Sequence, residues 1–281
     1  YLMSQPPVRN EVAASTLAFP WGVRSGVALW NALYLDPGPL APDPGRSAEW
    51  NRGRYLVEGA GHCGACHTPR NALGAERAGD AYLAGAIVDG WEAPPLASLT
   101  HAPAPWTVDE LERYLRDGHT RHHGSVAGPM APIVRELATL PASDVRAMAV
   151  YLASLAPPVS DEDAAAAARA AVEASVATAA TIRDPAQRLF EGACGACHHD
   201  GAGPVLLGRN LPLALYGNLH GPNPDNLIRV VLDGIPDPAT RELGFMPAFR
   251  DAMSDRQIAD LAAYMRARYA PAQPAWPGLE A

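Results

Sequence analysis

The sequence predicts an all-α protein in which one helical unit occurs twice. A five-residue cysteine motif appears at residues 63–67 and again at residues 194–198, and similar helix-start and helix-stop signals surround each copy in the same order. The 281 residues are enough for two domains of ordinary size. With 48% hydrophobic residues, 28 prolines and 25 glycines, the composition is typical of a folded protein whose short helices are joined by many loops.

Charge and hydropathy narrow the choice of partners. The net charge is −8 and no run of basic residues could follow a nucleic-acid backbone, so we expect no nucleic-acid partner. No apolar stretch reaches the roughly 18 residues that a membrane-spanning helix needs. No signal peptide is present and the chain begins at Tyr1, so we expect targeting information to lie outside this sequence.

The cysteines predict covalently attached haem. All four lie in the two copies of Cys-x-x-Cys-His, and none is left over for a disulfide. Two thiols three residues apart on one turn can reach both vinyl groups of a porphyrin, and the histidine that follows then points at the iron. The sequence therefore predicts two covalently bound haem c groups. The predicted attachment residues are Cys63, Cys66, Cys194 and Cys197, with His67 and His198 as iron ligands.

Two other interpretations of the cysteines are weaker. The four thiols could form a structural zinc site, but neither histidine would then have a reason to follow its second cysteine. A thioredoxin-like redox pair would need a βαβ setting, which the local sequence does not show.

Methionines are the predicted sixth ligands of the two irons. Met246 lies in the predicted non-helical loop Gly244–Phe249, and Met130 lies in an equivalent loop at Gly128–Pro132. A thioether on the sixth position raises the potential and closes the iron to substrates, which suits electron transfer. The remaining methionines near helical patterns are predicted to be core or flanking residues: Met148, Met253 and Met265.

Histidines near Met130 are rivals for the first of these positions. His119, His122 and His123 all precede Met130 by a few residues, and any of them could ligate the iron instead. For His122 and His123 we favour an exposed polar loop.

Helix signals divide the chain into segments. We predict helices at Ser47–Glu58, from Thr107, from Ser143 to Leu155, around Pro185–Glu191, at Pro224–Leu232 and from Ser254 to Met265. The resulting division is a first haem domain at 47–158 (the first half), an Ala-rich segment at 159–181, and a second haem domain with a C-terminal tail at 182–281 (the second half). For the Ala-rich segment we favour a plain linker over a helical spacer that sets the distance between the haems.

The beginning of the chain predicts a further haem unit. Tyr1–Val8 closely matches Tyr151–Val159, which is the end of the first haem domain. We therefore expect residues 1–46 to hold the tail of a preceding haem domain and an interdomain connection. The untruncated protein would then contain a third haem.

Taken with these residues, the sequence resembles the multihaem cytochrome c subunits of membrane-associated bacterial dehydrogenases. The likeness covers nearly the whole chain and is most specific at Trp50–Asn71, Gly128–Met130 and Met246–Phe249. The resemblance implies tandem class I cytochrome c domains, with His67 and His198 as proximal ligands and Met130 and Met246 as distal ligands.

The same resemblance implies a function and a location. The partner would be the catalytic subunit of a quinoprotein, flavoprotein or molybdoprotein dehydrogenase, and electrons would pass through the haems toward ubiquinone or a terminal oxidase. The protein would lie in the periplasm, at the outer face of the inner membrane. Two alternatives stay open: a dihaem peroxidase-like enzyme with one open iron, and a free electron shuttle without a stable partner.

Overall fold

The computed structural model describes residues 2–11, 13–14, 16–20, 22–99, 101–199 and 212–279. It consists of two compact units, Tyr1–Ala41 and Pro42–Ala281. The first unit contains a 3₁₀ turn at Leu2–Ser4 and helix α1 (Ser25–Tyr34), none of whose residues is buried.

The second unit is mainly helical, as the sequence predicts, and also contains two antiparallel hairpins of short strands that were not predicted. Its helices are α2 (Ala48–Arg54), α3 (Gly64–His67), α4 (Val108–Asp117), α5 (Met130–Leu137), α6 (Ala142–Ala153), α7 (Asp161–Thr181), α8 (Ala186–Ala193), α9 (Asp225–Asp233) and α10 (Asp255–Tyr269). The hairpins are β1 (Ala86–Val88) with β2 (Trp91–Ala93), and β3 (His119–Thr120) with β4 (Gly124–Ser125).

The first predicted helix leads directly into the haem motif. The side chain of Ser47 accepts a hydrogen bond from the backbone N–H of Trp50, which caps α2 as predicted. After Arg54 the helix widens into a π-helical segment at Tyr55–Ala60. The predicted helix end at Glu58 is therefore wrong, because the π-helical segment continues to Ala60. Such segments are often associated with functional sites.

The first half is built on the crossing of α2 and α6. A Cβ atom added to Gly53 would lie 2.9 Å from the Cβ of Tyr151 and closer still to the carbonyl oxygen of Ala147, so only glycine allows this approach. Trp50 reinforces the crossing, because its Nε1 donates to Ser154 Oγ over 2.7 Å. The core beneath includes Val57 and Met148, the latter placed as predicted.

The ends of α4 and α6 test the predicted cap signals. Thr107 accepts a hydrogen bond from the N–H of Glu110 over 3.3 Å and caps the start of α4, as predicted. Gly118 ends α4 in the left-handed conformation. For α6 the predicted start at Ser143 is wrong. The helix begins at Ala142 after Pro141, because the fixed φ of proline suits a helix entrance.

The second half repeats the arrangement with aromatic packing. Phe190 of α8 contacts Tyr264 and Tyr269 of α10, with ring centroids 5.7 Å apart in each pair. The start of α10 carries a full capping box, in which Ser254 and Gln257 exchange side-chain and backbone hydrogen bonds. These contacts hold the second cysteine motif against the core of its own half.

The Ala-rich segment is a continuous helix, so the favoured interpretation as a plain linker is wrong. Ser160 caps α7 by accepting from the N–H of Asp163 over 3.1 Å, and acidic residues in the first turn complement the helix dipole. Ala168 of α7 is buried with Ala104 of the first half and Leu215 of the second half. Among the described residues, no helix is both long and apolar enough to cross a membrane.

Replacing Gly53 with alanine tests the crossing of α2 and α6. We expect Gly53→Ala to lower the free energy of unfolding by about 1–3 kcal/mol, because the added methyl group overlaps the backbone of α6. The matched control is Gly192→Ala in α8, where nothing lies within 4 Å of the added Cβ. That variant should be neutral or slightly stabilising. Denaturant unfolding of both variants measures the difference, and equal stability of the two would contradict the role of Gly53.

Candidate haem-binding sites

A cavity in the second half collects all four predicted site residues of that half. Its volume is about 160 Å³, and apolar side chains form most of its wall. Cys194, Cys197, His198 and Met246 all line it, although 48 residues of sequence separate the last two. The remaining lining residues include Phe190, Leu213, Leu219, Leu227, Val231, Leu243, Phe249 and Met265.

The chemistry of these side chains fits a covalently bound haem. Burial lowers the pKa of His198, and the neighbouring His199 lowers it further, so the imidazole is neutral and able to ligate a metal. Among the described residues, no hydrogen-bond partner lies within reach of the buried His198 Nδ1. Residues 203–208, a Gly- and Pro-containing segment of sequence that follows the second motif, lie outside the described residues.

Met246 is held in a non-helical segment, as predicted. Its backbone exchanges two hydrogen bonds with Ile235, of 2.8 and 3.1 Å, which form an isolated β-bridge. Gly234 makes the bridge possible because its φ is +68° and an added Cβ would lie 2.7 Å from the carbonyl carbon of Pro247. The bridge fixes the backbone from which the Met246 thioether reaches the cavity.

In the first half, His67 is oriented by a backbone carbonyl. Its Nδ1 lies 2.7 Å from the carbonyl oxygen of Pro94. Burial lowers the pKa of His67, with the Pro94 contact opposing the shift, so the ring is neutral. A neutral ring that donates through Nδ1 keeps its Nε2 lone pair for a metal, an arrangement typical of metal-bound histidines.

Met130 lies elsewhere in the local structure than predicted. It is the first residue of α5 rather than part of a loop. Pro132 misled the prediction, because proline is tolerated in the first helical turn, where its missing N–H would have had no partner. Met130 packs against the same apolar cluster as Cys63, Leu111 and Leu115, so the structure brings it to the core beside the first motif.

The thiols differ from those of redox or zinc sites. Burial raises the pKa of Cys63 and of Cys194 to about 11 each, whereas reactive redox cysteines have lowered values. The two cysteine pairs lie in separate halves, and the described residues contain no cluster of three or more His, Cys, Asp or Glu suited to a metal ion. Both properties favour thioether attachment over the alternative interpretations.

His122 and His123 do not form the exposed polar loop that we favoured. His123 Nε2 lies 2.7 Å from Glu110 Oε2, and His122 Nδ1 lies 2.9 Å from Glu110 Oε1. The His123 ring is stacked on Trp106 with centroids 3.5 Å apart, and its side chain is only 1% exposed. The prediction was wrong because a carboxylate on α4 draws both rings inward.

His119 is likewise engaged with groups other than a metal site. Its Nδ1 lies 3.0 Å from the carbonyl oxygen of Asp117, and its Nε2 lies 3.7 Å from Glu242. All three rivals of Met130 therefore have partners in the protein.

Sequence reasoning missed one part of the second cavity. Ser125, Val126 and Ala127 belong to the first half and yet line the cavity of the second half. Gly124 and Gly128, both with positive φ, signal turns on either side of this segment but do not show what it contacts.

Comparison with known proteins finds a cytochrome family, subunits of dehydrogenases and a dihaem cytochrome. Residues 182–265 match the family described as cytochrome c oxidase, cbb3-type, subunit III. The chain is 55% identical to a nicotinate dehydrogenase subunit of Pseudomonas putida over 99% of its own length and 23% of that protein. It is 33% identical to the fructose dehydrogenase cytochrome subunit of Gluconobacter japonicus over 97% of its length and 60% of the relative. A dihaem c-type cytochrome of Cereibacter sphaeroides is 38% identical over 54% of this chain and 50% of its own.

The chain thus spans from about a quarter to about three fifths of the length of these relatives. The cytochrome family match and the dihaem relative imply covalently bound haem c in this chain as well.

Replacing Glu110 with glutamine tests its part in holding the two histidines. We expect Glu110→Gln to lower the free energy of unfolding by about 1–3 kcal/mol, because the buried His123 loses its charged partner. The matched control is Glu136→Gln, an exposed position on α5, which should change stability by less than about 0.5 kcal/mol.

The effect should depend on pH in one direction. Although burial alone would raise the pKa of Glu110, the contacts with His123, His122 and Thr120 together lower it. The stabilisation is therefore present above the unfolded pKa of about 4.3 and is lost as the pH falls through the lower folded value. Thermal unfolding across this range should show wild type and Glu110→Gln converging in acid. A constant difference at all pH values would mean that charge is not involved.

Proposed function

The chain is a homologue of the cytochrome c subunits of bacterial dehydrogenases, and we propose that it transfers single electrons from a dehydrogenase partner through covalently bound haems. Two haems would lie in tandem class I cytochrome c domains, at residues 47–158 and 182–281. The final acceptor would be ubiquinone or a terminal oxidase, with the protein in the periplasm at the outer face of the inner membrane. The names of the relatives support the dehydrogenase partner.

The cavity of the second half is the observation that carries the proposal. It gathers two attachment thiols, a neutral histidine and a thioether within one apolar wall. When bound, a haem supplies a one-electron Fe(III)/Fe(II) couple. His198 and Met246 would together hold the iron, and an iron held by both would suit electron transfer rather than the binding of a substrate.

In this proposal the chain has three tasks at each site. The cysteines, Cys63 and Cys66 or Cys194 and Cys197, hold the cofactor covalently. His67 and His198 supply a neutral imidazole, and the Pro94 carbonyl fixes the orientation of the first of them. The apolar clusters around Met130 and Met246 exclude water and thereby contribute to the potential of each iron.

The contacts of the histidines argue against a peroxidase-like enzyme. Such an enzyme needs one open or exchangeable iron position, and the His-rich segment from His119 to His123, with its rival sixth ligands, kept that alternative open. His122 and His123 share Glu110, and His119 contacts Asp117. Because these histidines have partners in the protein, Met130 is the better candidate for the sixth ligand of the iron in the first half.

The number of haems is part of the proposal. Two motifs support two haems in this chain, and the match of Tyr1–Val8 to Tyr151–Val159 supports a third haem in the natural protein.

Methionine substitutions test the ligand assignment. We expect the oxidised haem-loaded protein to be low-spin with Met–iron charge-transfer absorption from both sites. Met130→Ala and Met246→Ala should each remove the contribution of one site and lower its reduction potential, because the thioether is lost. Met148→Leu is the matched control, since Met148 is buried in the first core, and it should keep both contributions. Retention of the full absorption in Met246→Ala would reject that ligand.

Isolation of the native complex tests the function itself. A tagged full-length chain should copurify with a dehydrogenase subunit that contains a quinone, flavin or molybdenum cofactor. The substrate of that subunit should reduce the haems within the complex. A chain that purifies alone would favour a free shuttle, and peroxide turnover with a high-spin haem would favour a peroxidase.

A further inference from the structure

The wall of the second cavity contains part of the first half, and that part leads to Met130. Ser125, Val126 and Ala127 line the cavity that holds Cys194, His198 and Met246. Met130 follows three residues after Ala127. We call residues 124–130 the bridging segment.

A hydrogen bond joins the bridging segment to the second half. Ser125 Oγ donates to the hydroxyl oxygen of Tyr216 over 3.2 Å, and Tyr216 lines the same cavity. Burial raises the pKa of Tyr216, so the phenol stays protonated and does not add a charge to the wall. The contact fixes one edge of the bridging segment against the second site.

An apolar cluster continues the connection. Val126 is 3% exposed and is buried together with Ala131 and Val134 of α5 and with Ala239 of the second half. Met130 packs against this cluster from the first half. Leu243 packs against it from the second half and also lines the second cavity. Side chains in van der Waals contact therefore run from the first predicted distal ligand to the second cavity.

A stacked arrangement closes the other side of the bridging segment. A Cβ atom at Gly128 would lie 2.8 Å from the ring of Trp91, so the backbone rests directly on the indole. The Arg229 guanidinium of α9 lies 5.7 Å from the centre of the same ring. The next two residues of α9, Val230 and Val231, line the second cavity.

The start of the bridging segment is held as well. Strand β4 pairs with β3 in the register Thr120–Gly124 and His119–Ser125. The turn between these strands contains His122 and His123, which Glu110 of α4 binds. The bridging segment is thus held at its start, along its length and at its end by contacts that are already present in this structure.

From this arrangement we infer that the bridging segment is a shared wall of both haem sites, across which an electron passes directly between them. The inference rests on the proposed function, because it needs a haem in each half. In the step, the reduced iron at the His67 site loses one electron and the oxidised iron at the His198 site gains it, or the reverse. No bond forms or breaks, and no proton has to move. A consequence is that residues of the first half help to set the potential of the second haem.

A charge introduced into the shared wall tests this consequence. In the full haem-loaded chain, an external reference couple should reduce the haem at the His198 site about tenfold less favourably in Ala127→Asp than in wild type. The reason is that a negative charge added at the partly buried cavity wall opposes the gain of an electron. The site is identified as the component of a redox titration that changes in Met246→Ala. The matched control is Ala138→Asp, which adds the same charge at an exposed position after α5 and should change this equilibrium by less than about twofold.

A second measurement follows the electron itself. After flash photoreduction with less than one electron per protein, redistribution between the two sites should proceed at a rate independent of protein concentration. A rate proportional to concentration would overturn direct transfer across the wall.

A second variant, Val126→Thr, is used if Ala127→Asp fails to bind haem. It places a hydroxyl at the same wall with little change in shape, and it should also shift the reduction potential of the haem at the His198 site. An unshifted His198 potential in a correctly loaded variant would overturn the shared wall while leaving electron transfer to the dehydrogenase intact. Haems that are absent from the wild-type chain, or that the partner does not reduce, would instead reject the proposed function.

Discussion

The close crossing of the first and last helices in each half is the packing on which both sites depend. In the first half, Gly53 lets the backbones of α2 and α6 approach to a distance that any side chain would prevent. The cysteine motif follows directly after α2 and its π-helical extension, so this approach decides where Cys63 and His67 lie relative to the core. In the second half, α8 and α10 pack on each other through Phe190 and two tyrosines. An iron site assembled from residues far apart in sequence needs such packing. The packing of the helices fixes the histidine and the methionine relative to each other, which neither residue can do by itself.

The two halves differ in the local structure that leads into each cysteine motif. Each has the sequence Glu-Gly-Ala before its motif, at residues 58–60 and 191–193. In the first half Gly61 and His62 are inserted before the cysteine, and the helix is π-helical there, whereas α8 stays α-helical to Ala193. A π-helical turn accommodates additional residues within a helix while keeping the flanking residues in place. His62 has a φ of +36°, which indicates that the insertion is absorbed in the backbone next to the motif.

How much of this could be predicted depends on how local each signal is. The caps at Ser47, Thr107 and Ser254 were predictable, because a hydroxyl three residues before a free N–H acts within one turn. The helix at Asp161–Thr181 was predictable from the same signals, since Ser160 precedes three acidic residues and an alanine run. We favoured a linker because the segment has no clearly separated apolar and polar faces. The four cysteines and the two motif histidines were predicted from spacing, and the two methionines from their positions in predicted loops after each motif. The cavity of the second half brings together the four of these residues that belong to that half.

Two of the errors have a common physical cause, namely contacts between different elements of the chain. His122 and His123 look exposed in isolation, and only the position of Glu110 on a neighbouring helix shows that they are drawn inward. The role of Ser125 to Ala127 depends on a second half that begins more than 50 residues later. Periodicity and spacing report the environment within one element, so they cannot show which surface covers that element.

These two errors are connected in the structure. Glu110 binds the turn of the β3–β4 hairpin, and the second strand of that hairpin leads into the residues that line the second cavity. A partly buried carboxylate with two histidines is costly to desolvate, so it contributes specificity more than stability unless every partner is satisfied. Here the cluster fixes the backbone ahead of Ser125, and Ala168 of α7 packs between Ala104 and Leu215 of the two halves. An electron carrier with two redox centres needs a constant separation between them, because both the rate and the mutual influence of the centres depend on distance. With one haem in each half, as proposed, the polar cluster and the helix α7 would each restrict that separation. The histidines that were rivals of Met130 would then act on the position of the wall between the two proposed sites.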